Sequence, residues 1–171
     1  MISLVLISDA DTLNTYRFWS VGSLASRNLD AVQIVIGFVM IGAVLAITSG
    51  RMLNLVALGD DLARGLGQRI HVARAIAAGA VVLLCGSATA LAGPIVFVGL
   101  VVPHIVRPFT GPDYRWIIAV SAVVGPSLLL VADIVGRLVV APSELEAGLV
   151  VALIGAPVMI ALVRRVKLAG L

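Results

Sequence analysis

From Ala75 to Val106 the chain carries no Asp, Glu, Lys or Arg, and a Gly93–Pro94 pair stands inside that run. As one continuous helix the run would measure about 48 Å at 1.5 Å per residue. A hydrocarbon core is only about 30 Å thick. The run is therefore too long for one upright span and short for two. A Gly-Pro pair marks a turn. Either one tilted helix crosses a membrane once, or two pieces hinge near Gly93 and cross twice.

Composition supports the membrane. Hydrophobic residues make up 61% of the 171 residues and charged ones 12%, against about 45–50% and 25% in soluble domains. Mean hydropathy is +1.16. The net charge of +3 would suggest nucleic acid if the basic residues clustered on a wet surface. They sit between apolar runs instead, so no nucleic-acid partner is expected. Cys85 lies alone in an apolar run and reads as a small core residue, with no disulfide and no metal site. The opening MISLVLISDAD lacks the basic start and long apolar run of a signal peptide. It reads as the tail of a span whose beginning is absent.

The expected fold class is all-α, a polytopic transmembrane bundle with short broken helices. Residues 1–30 hold the end of a span and an outer loop. Spans are expected at 31–48, 75–92, 94–106, 115–141 and 146–163, with a polar loop at 49–74 and a basic tail at 164–171. Charge decides between one crossing and two, because cytoplasmic loops collect Lys and Arg. With two crossings the inner side holds Arg51, Arg64, Arg69, Arg74, Arg107, Arg115, Arg164, Arg165 and Lys167, and the outer side Arg17, Arg27 and Arg137, nine against three. With one crossing the split becomes five against seven. The two-pass topology is preferred.

The second pass is short and contains Gly93, Pro94, Gly99 and Pro103. Broken backbone at membrane depth is tolerated where protein buries it or where it lines a cavity, and discontinuous helices mark transport pathways in many carriers. Gly and Pro are also simply commoner in membrane helices; both readings stay open on the residues alone. In the loop, Leu55, Leu58, Leu62 and Leu66 fall at helical spacing, and Gly59 and Gly65 divide the stretch into two short pieces. Asp60 and Asp61 suit a helix N-terminus, and Arg64 can pair with them. This loop is either a docking surface or a solvated connector. Asp133 and Arg137, four apart in one span, are expected to form an ion pair.

These stretches resemble the permease subunits of bacterial ABC importers for iron-siderophores, haem and vitamin B12, the FecCD-type permeases. The matching pieces are FWSVGSLASRNLD at 18–30, ALGDDLARGLGQRI at 57–70, AGPIVFVGLVVPHIVR at 92–107, ADIVGRL at 132–138 and SELEAGLVVALIGAPVMIALV at 143–163. Members of that family are about twice as long, so the resemblance is to the C-terminal half. Departures include Glu146 for a usual proline, Val151-Ala152 for Thr-Ala, Met159 for an aromatic, and Tyr114 for a histidine.

The resemblance implies two short cytoplasmic helices over 54–67 that dock into an ATP-binding subunit through Gly59, Asp60, Asp61, Arg64, Gly65 and Gly67. It places Gly93, Pro94, Phe97, Gly99 and Pro103 beside the pathway. It gives Arg137 a second role, meeting a substrate-binding lipoprotein or periplasmic protein at the outer mouth. A second permease subunit, membrane lipid and a bacterial inner-membrane location are implied as well. No cofactor or metal is expected on this chain, and no catalytic residue. ATP would be used by the partner, since no Walker motif is present. His104 reads as structural.

Three rivals are weighed against the importer. An intramembrane hydrolase lacks H-E-x-x-H and a G-x-S-x-G in a span. An ion-coupled secondary carrier wants an unpaired intramembrane carboxylate, and Asp133 has Arg137. A truncated or split permease, inactive alone, fits the length.

Overall fold

The structure is a computed structural model that describes residues 21–22, 29–139 and 147–169, the backbone alone from 161 onward. The described residues form six helices: α1 Leu29–Val56, α2 Asp60–Gly65, α3 Ile70–Ala92, α4 Val98–Thr110, α5 Tyr114–Val139 and α6 Ala147–Ala169. Three of them, α1, α3 and α5, are long and apolar enough to cross a membrane. The short opening segment and the 143–146 motif positions lie outside the described residues.

Small residues make the helix contacts. The buried residues of α1 are Gly42, Ser49 and Gly50, a single stripe at i, i+7 and i+8. Along α3 the buried positions are Ile70, Ala73, Ala80, Ser87 and Ala92. Along α6 they are Ala147, Gly148, Val151 and Gly155. In lipid no hydrophobic force draws helices together, so association depends on close van der Waals packing, which small residues permit. Polar groups in the spans bond back to the helix: Thr48 Oγ1 donates to the Val44 carbonyl at 2.9 Å and Ser49 Oγ to Ala46 at 2.8 Å. Cys85 corrects the expectation of a core position. It is exposed, because it falls off the Ala80–Ser87 stripe of α3; an apolar run by itself carries no rotational phase.

The chain divides into two compact units. The first comprises Asn28–Ala90 and Val102–Pro126. Within it α1 and α3 run antiparallel: Gly42 meets Leu83 and Leu84, and Gly79 faces Leu45. The C-terminal end of α1 meets the start of α5, where a Cβ on Gly50 would lie 3.2 Å from Arg115 Cα. Arg74, in the first turn of α3, bonds Asp60 just past the end of α1. Asp113, immediately before α5, bonds Asn54 near the same end. So α3 and α5 both begin at the C-terminal end of α1. The chain between them leaves that end along α3 and comes back through α4, which at about 1.5 Å per residue is only about 20 Å long.

Several helix boundaries differ from the sequence expectation, the end of α1 most of all. The first helix does not stop at residue 48 but runs to Val56. Ser49, Gly50 and Arg51 end the apolar run without breaking a hydrogen bond; the break comes at Gly59, whose φ of 105° is open only to glycine. The 54–67 platform is accordingly the last turn of α1, a tight turn and the single short helix α2, not a pair of short helices.

The second unit takes in Leu91–Val101 and the chain from Ser127 onward, together with the first 27 residues. Here α6 packs on the 93–97 break, and the Gly148 amide donates to the Gly22 carbonyl at 3.0 Å.

Candidate functional site

Two sites emerge. The first is the polar end of α1, α3 and α5. Leu53 accepts from the Ala57 amide at 2.9 Å and Val56 from Gly59 at 3.1 Å, so the turn continues the α1 ladder without slack. Helix α2 closes with the Gly67 amide on the Arg64 carbonyl and the Gln68 amide on Ala63, both 2.9 Å, the paired bonds of a Schellman end. Ala63 is wholly buried, while Leu58, Leu62 and Leu66 are 58%, 63% and 61% exposed. Three leucines facing outward at the Arg-rich end of the spans make an apolar contact surface away from the lipid core.

Asp60 pairs with Arg74 rather than Arg64. Both Asp60 oxygens accept from Arg74 Nη2, at 2.9 and 3.0 Å, tying α2 to the first turn of α3. Arg64 lies 3.9 Å from Asp61, both well exposed. Such a loose exposed pair contributes little. Gly59, Gly65 and Gly67 have open space where a Cβ would sit. Close packing within this chain does not require them.

A second tie was not anticipated from the sequence. Asn54 Nδ2 donates to Asp113 Oδ1 at 2.7 Å, and Asn54 Oδ1 accepts from the Tyr114 amide at 2.8 Å. Asp113 Oδ1 also accepts from the Arg115 amide at 2.9 Å. Asp113 is thus the N-cap of α5, and the first two orphan amides of that helix are both satisfied, one of them from α1. The Asn54 amide and then the Arg115 amide hold the Asp113 carboxyl below the usual carboxylate range. Gly111-Pro112-Asp113 is a legible turn and cap; its partner Asn54 is not.

The second site is the break between α3 and α4. Helix α3 ends at Ala92 and Gly93 follows with φ 77°, a left-handed helix stop. Phe97 has φ 72°, a genuine outlier for a bulky residue. Its carbonyl starts α4 by accepting from the Leu100 and Val101 amides at 3.0 and 2.8 Å. Gly155 of α6 lies beneath it: a Cβ there would be 2.7 Å from Phe97 Cβ. Gly22 is similarly close to Pro94 and Ile95, and a Cβ on Gly148 would strike the Val21 carbonyl oxygen. Gly22, Gly148 and Gly155 are the supports that sequence reasoning missed. Within the helix, Pro103 has no N–H to donate to the Gly99 carbonyl, which weakens the ladder there. Gly99 itself is exposed with nothing near its Cβ position, so it gives no close packing in this chain.

In α5, Arg137 Nε bonds Asp133 Oδ2 at 2.9 Å, the ion pair expected from their spacing. No group of three His, Cys, Asp or Glu that could hold a metal exists among the described residues.

Comparison with known proteins gives the family. Residues 1–165 match the model of the FecCD transport family. The chain is 44% identical over 165 residues to the ferric enterobactin transport system permease protein FepD of Escherichia coli (strain K12), covering 96% of this chain and 49% of that protein. It is 42% identical to the iron(3+)-hydroxamate import system permease protein FhuB of Bacillus subtilis (strain 168), over 96% of this chain and 43% of that one. It is 36% identical to the hemin transport system permease protein HmuU of Yersinia pestis, over 95% and 48%. The chain thus spans about half the length of the curated relatives it matches. A solved inward-facing conformation of a metal-chelate type ABC transporter superposes with a TM-score of 0.82 at 28% identity, covering 94% of this chain and 54% of that one. On this match of sequence and fold, the chain is a multi-pass membrane protein that belongs to the FecCD transport family.

Proposed function

We propose that the chain forms the C-terminal part of the membrane permease of an ABC importer in a bacterial inner membrane, for iron-siderophore, haem or cobalamin-type cargo. The observation that carries this is the outward-facing leucine surface at Leu58, Leu62 and Leu66, in a chain whose relatives are permeases of chelated-iron and hemin transport. A separate ATP-binding subunit docks on that surface and hydrolyses the ATP; this chain breaks no bond in the cargo. Asp60, Asp61 and Arg64 supply polar contacts at the rim, and Gly59, Gly65 and Gly67 leave room for the partner to approach. A substrate-binding lipoprotein or periplasmic protein delivers the cargo, and Arg137, half exposed beside Asp133, offers it a cation. A second permease subunit completes the pathway, to which this chain contributes Gly93, Pro94, Phe97, Gly99 and Pro103.

The mechanism is mechanical. A push on α2 passes into α1 through the slack-free turn at 57–59 and into α3 through the Asp60–Arg74 pair. The short, proline-weakened α4, starting from the outlier at Phe97, is the span least able to resist tilting.

The test is co-purification with the ATP-binding subunit of a siderophore importer. Leu62→Asp/Arg64→Glu leaves the Asp60–Arg74 pair intact and should weaken association at least about tenfold, equal to about 1.4 kcal/mol. Undiminished association of that variant would overturn the docking assignment.

A further inference from the structure

We infer that the side-chain amide of Asn54 is a mechanical latch, fastening the end of α1 to the start of α5 so that a push on the 57–67 loop moves both helices together. The inference rests on the importer reading for the source of the push, and on the hydrogen bonds alone for the joint.

The 57–67 loop is held at both flanks. Backbone bonds continue α1 into it, and Asp60–Arg74 joins it to α3. Helix α5 begins some sixty residues further along the chain, and Asn54 bridges that gap with two bonds, one donated and one accepted. An amide side chain is required: a carboxylate has no donor for Asp113, and a hydroxyl cannot span both atoms in this geometry. Asp113 and Tyr114 could have been capped locally or by water. Instead, parting α1 from α5 would strip one of two donors from the Asp113 carboxylate and the acceptor from the Tyr114 amide at one stroke. Coupled bonds of this kind strengthen one another, so the joint holds or opens as a unit.

The geometry also defines its own repair. In Asn54→Asp two carboxylates face each other and the donor is gone. In the exchange Asn54→Asp/Asp113→Asn, the new Asp accepts from the Tyr114 amide and from the new Asn, whose oxygen still takes the Arg115 amide. All three bonds return, the side-chain bond between 54 and 113 with its direction reversed and the Tyr114 and Arg115 amides donating as before.

The experiment places spin labels at Ala57 and Trp116, both exposed, after Cys85→Ser. Distances are measured in the complex with the ATP-binding subunit, without nucleotide and with ATP, and in the permease without that subunit. The original pair should give one narrow distance, unchanged by ATP. Asn54→Asp should broaden it in the permease alone and add an ATP-dependent shift in the complex, while the ATP-binding subunit still co-purifies. The exchanged pair should restore the narrow, nucleotide-independent distance. Asn54→Ala, which adds no second carboxylate, should broaden it as well and covers the case in which Asn54→Asp fails to fold. Narrow distances in both single variants, or an exchanged pair that stays broad, would overturn the latch. Absence of any ATP-binding subunit from the unmutated complex would instead overturn the importer reading, and the distances in the permease alone would still decide the latch.

Discussion

Phe97 and Gly155 are read most clearly as a pair. A φ of 72° at Phe97 costs of order 1–3 kcal/mol and persists only where the surroundings over-determine it. Gly155 supplies part of that surrounding by letting the ring's Cβ sit where a side chain would otherwise be. Gly155→Ala should therefore lower stability by about 1–3 kcal/mol, measured by thermal aggregation of the detergent-solubilised protein. Phe97→Gly removes both the strain and the collision, so the two substitutions should be non-additive, with Gly155→Ala nearly silent on that background. Full additivity would contradict the contact. Asp113 carries a second prediction at this scale. Its carboxyl pKa is lowered on folding, so its contribution is fully present above the ordinary Asp value of about 3.9 and is lost as pH falls through the lowered one. The stability gap between the unmutated chain and Asp113→Ala should be constant above about pH 5 and close on the acid side. A gap that widens with acid would reverse the sign and remove Asn54 as the cause.

Helix α1 shows what a sequence does and does not disclose about an element. Its existence follows from the uncharged run at 31–48, but hydropathy marks the edge of the lipid, whereas a helix ends where its hydrogen bonds do. That is why α1 overruns by two turns to the Gly59 break, carrying Asn54 to its meeting with Asp113. The Gly93–Pro94 stop, by contrast, was legible, because its cause is local. Which glycines pack was not: Gly37 and Gly50 lie in the same helix, yet Gly37 has nothing near its Cβ position and Gly50 has the Arg115 backbone at 3.2 Å. Gly37→Ala should be neutral or stabilising by up to about 1 kcal/mol, and Gly50→Ala destabilising by about 1 kcal/mol or more. Equal effects in a thermal assay would refute the α1–α5 contact.

For the whole molecule, the count of Arg and Lys on the two sides favours a segment that crosses out and returns. Asp60–Arg74 and Asn54–Asp113 bring the starts of α3 and α5 to one end of α1, so the uncharged run must go out and come back. Charge bears on topology because it is a global sum over many residues, each weakly informative. The latch and the glycine supports were hidden because each depends on one contact between distant parts of the chain. The docking surface, the direction of the push and the pathway all presuppose this return. The most direct test replaces Cys85 by Ser and places single cysteines at His71, Pro112 and Leu29, labelled in intact cells and in inverted vesicles with a membrane-impermeant maleimide. The account predicts that positions 71 and 112 react only in inverted vesicles and position 29 only in intact cells; reaction of 71 and 112 from opposite sides would contradict it.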